Sequence, residues 1–128
     1  MYYGKHLLVE GLTKTSNHLT DQDFIEKVFD QIIKKIQITA VLPPVVYQFP
    51  PRVKNKQNTL GGITAFYIIA ESHLSIHTWP ENNYFAFDLF SCKDFNEAKV
   101  LTILKHQFDT KNLVSQVIER GMAVNFKT

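Results

Sequence analysis

Three apolar runs that follow one another almost without interruption constrain the fold more than any other feature of the chain. They are rich in β-branched and aromatic residues and have the length of β-strands. Pro80 to Asn83 between the last two runs has the composition of a tight turn. Strands joined by such short connections pair antiparallel. The predicted strands are Ile63 to Ala70, His73 to Trp79 and Tyr84 to Ser91.

Two amphipathic helices are predicted on either side of these strands. The first has Thr20 as its N-cap, and the second has Asp94 as its N-cap with Glu97 completing a capping box. Apolar residues recur at helical spacing on one side of each helix. They are Phe24, Val28, Phe29, Ile32, Ile33 and Ile36 in the first helix, and Phe95, Ala98, Leu101, Leu104 and Phe108 in the second.

The remaining apolar runs predict further strands at Lys5 to Glu10, 38–49 and 113–118. Pro43 and Pro44 interrupt the second of these. Because proline has no backbone donor, that strand is either broken at the prolines or lies at a sheet edge. The polar stretch from Pro50 to Leu60 predicts a loop.

The element order β-α-β-β-β-β-α-β predicts an α+β fold, a two-layer sandwich of a mostly antiparallel sheet with two helices on one face. The other face would expose many aromatic side chains to water unless a second protomer covers it. We therefore expect a homodimer that packs sheet against sheet, as a four-layer αββα assembly.

Length and composition predict a single domain over residues 1–128. A net charge of +2 is too small to predict a nucleic-acid or anionic-membrane partner. The densest basic cluster, from Arg52 to Lys56, is interpreted as a solvated loop. One cysteine excludes an internal disulfide framework, and neither a signal peptide nor an apolar run of about 18 residues is present. We expect a cytoplasmic protein.

The segment from Ala70 to Glu81 carries the residues with chemical potential. It holds two histidines, two serines, one threonine and two carboxylates within twelve residues, which is unusual for strands that only pack. A second polar pattern, Asp88-Leu89-Phe90-Ser91-Cys92, follows and contains the only cysteine of the chain.

This segment resembles the signature of the prokaryotic S-adenosylmethionine decarboxylases. The matching parts are the acidic-Ser-His step at 71–73, the Ile-His-Thr-Trp-Pro-Glu turn at 76–81, and Cys92 about fifteen residues beyond the histidine. The runs at 6–10 and 119–121 extend the resemblance. Its strong part covers roughly a quarter of the chain.

The resemblance implies self-cleavage between Glu71 and Ser72. The Ser72 hydroxyl would attack the Glu71 carbonyl and convert the amide into an ester. Loss of the ester oxygen and hydrolysis would then leave a pyruvoyl group on the fragment 72–128, separate from 1–71. This covalent cofactor would form a Schiff base with the substrate amine and act as an electron sink, so that S-adenosylmethionine is decarboxylated for polyamine synthesis.

The resemblance also assigns roles to single residues and implies no metal. His77 would be the processing base, and Cys92 would protonate the carbanion that decarboxylation leaves. Thr64 stands where the family commonly has a serine that steadies the processing intermediate. Its extra methyl group allows slower processing.

Two residues keep open interpretations on the sequence alone. Glu81 either binds a substrate hydroxyl or is solvated in its turn. His73 either contributes to the substrate site or is a strand histidine bonded to a neighbour.

Strand geometry adds one supporting expectation and one difficulty. A regular hairpin places Ser72 directly across from Cys92, with Cβ atoms about 5 Å apart. Ser72 and His77, however, would point to opposite faces of a regular strand, roughly 16 Å apart. The mechanism therefore requires a bend just after Ser72, or a site completed by the partner chain.

Two alternatives to this activity remain at the sequence level. Family members commonly carry a Phe-x-Pro-x-Gly step whose aromatic helps to hold adenine, whereas here a longer polar stretch separates Phe49 from Gly61. Either an insertion displaces the aromatic or another residue replaces it. A pyruvoyl-dependent arginine or ornithine decarboxylase is the first alternative, and an unprocessed regulatory homologue is the second.

Overall fold

The computed structural model describes residues 3–52 and 60–126. Most of the predicted loop at 50–60 and of the basic cluster at 52–56 lies outside these residues. The strands are β1 Gly4–Thr13, β2 Thr39–Ala40, β3 Val45–Gln48, β4 Ile63–Ala70, β5 Ser72–Trp79, β6 Tyr84–Ser91 and β7 Thr110–Arg120. The helices are α1 Gln22–Lys35 and α2 Glu97–Gln107, with short 3-10 turns at Asn17–Thr20, Pro80–Asn82 and Met122–Phe126.

The strands form one sheet in the order β2-β4-β5-β6-β1-β7, in which every neighbouring pair is antiparallel. The short strands β2 and β3 pair with opposite ends of β4. The residues from Val41 to Pro44 separate them. Both interpretations of the prolines are therefore confirmed, since the strand is broken there and its two pieces lie at the edge of the sheet.

Both helices lie on the same face of the sheet, as predicted. Phe29 of α1 packs on Tyr67 of β4 and Phe87 of β6, with ring centroids 5.8 and 6.4 Å apart. Phe108, at the end of α2, stacks on Phe85 with centroids 4.5 Å apart. The core between the two layers contains strand residues at alternate positions. Among them are Leu7, Val9, Ile63, Ala65, Ile69, Leu74, Ile76 and Leu89.

The start of α1 differs from the prediction by one residue. Thr20 belongs to the preceding 3-10 turn, and Asp21 is the N-cap. The Asp21 carboxylate accepts a hydrogen bond from the backbone N–H of Phe24 at 3.1 Å, which satisfies one of the free donors of the first turn.

The start of α2 was also predicted wrongly, because a residue distant in sequence holds the two expected capping carboxylates. Asn96 is the N-cap and accepts from two backbone N–H groups. Asp94 and Glu97 instead contact the Lys5 ammonium at 2.9 and 2.8 Å. Because the helix starts later, the side of it that is buried also differs from the prediction. Ala98, which was predicted to be buried, is exposed. The buried positions within the helix are Val100, Ile103 and Leu104.

The face of the sheet opposite the helices, termed the open face, has no covering element in the described chain. Its side chains alternate with the buried core positions on each strand. Several large apolar groups there are more than a third exposed. They include Leu8, Leu12, Val45, Tyr47, Phe66, Ile68, Val114 and Ile118. No helix among the described residues is long and apolar enough to cross a membrane.

One hydrogen bond across the two layers gives a test of the packing. The Tyr67 hydroxyl donates to Asp30 on α1 at 2.7 Å, and burial together with this bond raises the pKa of Tyr67 from 10.0 to about 12. Because the folded-state pKa is raised, the stabilisation is complete below pH 10 and is lost as the pH rises towards 12. Near pH 8, Tyr67→Phe is expected to lower the free energy of unfolding in urea by about 1 kcal/mol.

The matched control is Tyr3→Phe, since Tyr3 is exposed just before β1. We expect no measurable change in its unfolding free energy near pH 8. The difference between wild type and Tyr67→Phe should close between pH 10 and 12. Equal losses from the two variants would contradict the role of the interlayer hydrogen bond.

Candidate active site

Ser72 begins strand β5 directly after the tight turn at Glu71. Its φ of 116° lies in a region that residues with a Cβ rarely adopt. Such a conformation costs on the order of 1–3 kcal/mol and persists only where the surroundings enforce it. The unusual conformation is confined to Ser72, because β5 continues to Trp79 in unbroken register with both neighbouring strands. The sharp bend expected just after Ser72 is therefore not present.

The Ser72 hydroxyl contacts the Cys92 thiol. Oγ and Sγ are 3.4 Å apart, and Cys92 is exposed. The predicted register was wrong by one residue, because the hairpin closes at the pair Trp79–Tyr84 and this register pairs Ser72 with Ser91. Cys92, the first residue after β6, still reaches the serine from the end of its strand.

The backbone of Cys92 makes a second contact at this point. Its N–H donates to the carbonyl oxygen of Glu71 at 3.4 Å. That carbonyl belongs to the peptide bond that joins Glu71 to Ser72. Sequence reasoning missed this donor, because it is a main-chain group and its position depends on the register of the hairpin.

Thr64 and His77 form a separate pair on the open face, where β4 and β5 lie side by side. They are cross-strand partners, with Thr64 Oγ1 and His77 Nδ1 3.0 Å apart. Ser72 pairs with Ile69 at the other end of β4. A separation of five positions along the strand, from Ser72 to His77, corresponds to about 16 Å. Ser72 and His77 are therefore not brought together within one chain.

A cavity of about 320 Å³ opens beside the Thr64–His77 pair. Glu81 lines it, and its carboxylate lies 3.8 Å from the side chain of Arg52. Glu81 is an exposed residue whose side chain is 21% exposed, so it lines the cavity while remaining in contact with solvent. The aromatic side chains Phe49 and Trp79 form part of the wall.

Backbone hydrogen bonds fix the position of Phe49 beside the cavity. Its N–H donates to Gly62 at 2.8 Å, and its carbonyl accepts from Gly61 at 3.1 Å. These bonds bring the two ends of the long polar stretch together. Phe49 lies in the same cavity wall as Thr64 and His77.

His73 does not line that cavity but belongs to a polar cluster on the open face. Its Nε2 lies 3.2 Å from Asp88 Oδ2, and His6 Nε2 lies 2.8 Å from the same oxygen. Ser75 donates to the other oxygen of Asp88. Burial alone would raise the pKa of Asp88, but the hydrogen bonds from Ser75, His6 and His73 outweigh burial and hold it below its ordinary value.

Comparisons with curated proteins first define the class of the chain. A protein of Clostridium kluyveri is 34% identical over 121 residues, which cover 93% of this chain and 87% of the relative. A protein of Archaeoglobus fulgidus is 28% identical over 122 residues, covering 94% and 100%. Both relatives are named S-adenosylmethionine decarboxylase proenzyme. The chain is therefore an enzyme of the decarboxylase class that is made as a proenzyme.

The family model and a solved structure then identify the family. The model described as S-adenosylmethionine decarboxylase matches residues 5–121. The crystal structure of the adenosylmethionine decarboxylase from Aquifex aeolicus has a TM-score of 0.78 and 27% identity, covering 94% of this chain and 92% of that one. The chain belongs to the S-adenosylmethionine decarboxylase family. These matches favour neither an arginine or ornithine decarboxylase nor an unprocessed regulatory homologue.

Proposed function

We propose that this chain cleaves itself between Glu71 and Ser72 and then decarboxylates S-adenosylmethionine with a pyruvoyl group derived from Ser72. One observation carries the proposal. The nucleophilic hydroxyl of Ser72, the carbonyl that it would attack, and the N–H that holds this carbonyl meet in a single turn. The products would be the fragments 1–71 and 72–128.

The contacts of Glu71 suit the first step. Ser72 Oγ attacks the Glu71 carbonyl carbon, and the electron pair of the C=O bond moves onto its oxygen. The Cys92 N–H already points at that oxygen, and such donors typically lower a barrier by about 2.7–4 kcal/mol. The C–N bond then breaks, the nitrogen takes up a proton, and an ester joins Glu71 to the Ser72 oxygen. Cleavage also releases the strained φ of Ser72.

His77 is the proposed base for the second step. When its Nδ1 donates to Thr64 Oγ1, its Nε2 is unprotonated and accepts a proton. Transfer of the Ser72 Cα proton to Nε2 breaks the bond between Ser72 Cβ and the ester oxygen. This oxygen leaves as part of the Glu71 carboxylate. Addition of water to the remaining dehydroalanine, with loss of ammonia, yields the pyruvoyl group. The Thr64 hydroxyl would hold His77 in this orientation.

The separation of Ser72 from His77 supports a site shared by two chains. The exposed apolar side chains of the open face are a surface of the kind that binds another protein. We propose that two copies pack through their open faces as an αββα homodimer. Ser72 and Cys92 of one chain would then meet Thr64 and His77 of the partner subunit.

The cavity beside His77 supports S-adenosylmethionine as the substrate. Phe49 and Trp79 offer aromatic surfaces against which an adenine ring can stack, and Glu81 offers an acceptor for ribose hydroxyls. Its volume of about 320 Å³ lies at the lower end of small-molecule sites.

The pyruvoyl group, once formed, supplies an electron sink for loss of carbon dioxide. Cys92 is placed to act in the proton transfer that follows. Its thiol lies 3.4 Å from the Ser72 oxygen and is exposed, so it can deliver a proton to a substrate held at residue 72 and regain one from solvent. The residues present therefore fit a self-made carbonyl cofactor.

Release of labelled carbon dioxide tests this function. Purified protein is incubated with carboxyl-labelled S-adenosylmethionine, arginine or ornithine. We expect release from S-adenosylmethionine alone. Cys92→Ala should still cleave its backbone but release carbon dioxide about 10²–10³-fold more slowly, in the range for loss of a proton-transfer group. Ser115→Ala, on the exposed strand β7, is the control and should match wild type.

Two outcomes would contradict this account. Release from arginine or ornithine at a comparable rate would overturn the substrate assignment. Normal turnover by Cys92→Ala would remove the thiol from the reaction.

A further inference from the structure

The cluster of His6, His73 and Asp88 on the open face has the composition and spacing of a metal site. Its three residues come from the neighbouring strands β1, β5 and β6. One ligand atom from each lies within 4.8 Å of the other two. We propose that this cluster binds a divalent transition-metal ion, with Zn²⁺ and Co²⁺ as the best-suited ions.

The donor set points to the kind of ion. Two imidazole nitrogens and one carboxylate oxygen suit zinc, cobalt and nickel, whereas calcium and magnesium prefer sets made of oxygen alone. Zinc binds nitrogen and oxygen at about 2.0–2.2 Å, which places neighbouring ligands of a tetrahedral site roughly 3.3–3.6 Å apart. The two N–O distances in the cluster, 2.8 and 3.2 Å, are hydrogen-bond lengths, so the ligands would move apart by less than about 1 Å to admit the ion.

The surroundings hold the ligands in place, as second-shell contacts do in metal sites. Ser75 donates to Asp88 Oδ1 and so leaves Oδ2 directed at the histidines. The His73 ring stacks on Phe66 with centroids 5.2 Å apart and an interplanar angle of 19°. The His6 ring packs against Phe90 at 5.5 Å. Fixed rings and a fixed carboxylate lower the entropy lost when an ion binds.

An ion would replace the protons that now join the histidines to Asp88. Each ring would keep its proton on Nδ1 and present the lone pair of Nε2. The side chains of His6, Asp88 and His73 are 17%, 22% and 29% exposed. An ion has a route from solvent in the single chain, whereas in the proposed homodimer the cluster would lie between the two open faces.

The bound ion would join three strands and restrain the residue next to Ser72. Since it binds only the folded protein, it is expected to raise the melting temperature in proportion to the logarithm of its concentration. This inference rests on the geometry of a single chain and is independent of the proposed decarboxylation. It is best tested on Ser72→Ala protein, whose chain stays continuous.

The experiment is a titration of chelator-treated Ser72→Ala protein with Co²⁺ and, separately, Zn²⁺. We expect one ion per chain by elemental analysis, visible Co²⁺ absorption of an ordered site, and a rise in melting temperature that chelator reverses. Mg²⁺ should have none of these effects. Adding His6→Gln or Asp88→Asn should weaken binding by more than about 100-fold, beyond the 10–100-fold typical of second-shell changes.

The control is His106→Ala, a histidine exposed on α2 away from the cluster. Its affinity for Co²⁺ should equal that of the parent protein. Absence of saturable binding would overturn the proposal, as would equal weakening by His106→Ala and His6→Gln. If a cluster variant does not fold, as judged by circular dichroism, ion stoichiometry in the parent and the His106→Ala control still decide the question.

Discussion

Ser72→Ala is expected to abolish self-cleavage completely. Alanine has no oxygen to attack the Glu71 carbonyl. The purified variant should remain a single chain by mass spectrometry through long incubation. It should also release no carbon dioxide from S-adenosylmethionine, because the pyruvoyl group cannot form.

Ser115→Ala is a matched control for this experiment, since it removes a hydroxyl from an exposed position on β7. It should be cleaved at the wild-type rate. Two fragments from Ser72→Ala with a break after Glu71 would show that Ser72 is not the nucleophile.

Mixing two inactive variants is expected to restore cleavage. His77→Ala should stop at the ester, which hydroxylamine opens, while Ser72→Ala should not react at all. In a mixed dimer, Ser72 of the His77→Ala chain would meet His77 of the partner subunit. The pyruvoyl group should then appear only on the His77→Ala chain, as mass spectrometry of differently tagged copies would show.

The controls for this experiment are each variant alone and a mixture of two Ser72→Ala chains that carry different tags. None of them should form a pyruvoyl group. Recovery of mixed dimers through both tags, without any pyruvoyl formation, would contradict a site shared between chains.

Much of the fold was predictable because it depends on short-range patterns. The tight turn at 80–83 and the alternation of buried and outward-facing side chains along β4, β5 and β6 define the central antiparallel strands. The helix starts were less predictable, since their caps depend on distant residues. Lys5 holds Glu97 from 92 positions away, and nothing local to α2 reveals that contact.

The candidate site likewise contains residues that the sequence motif identifies and contacts that only the folded chain shows. Ser72, His77 and Cys92 belong to one dense motif and could be named from it. The contact of the Cys92 N–H with Glu71 depends on the exact hairpin register. The place of Phe49 in the cavity wall depends on its backbone hydrogen bonds with Gly61 and Gly62, and sequence patterns do not show that these distant residues meet.

The His6–His73–Asp88 cluster was missed for a related reason. Its members lie on three strands, and their separation in sequence matches no short metal-binding motif. Only the strand order, with β6 between β1 and β5, brings them together.

The intact mass of purified, denatured wild-type protein tests the central claim most directly. The account predicts two fragments that separate between Glu71 and Ser72, with the second carrying a pyruvoyl group and no free amine. A single chain of full mass that persists through long incubation would contradict it.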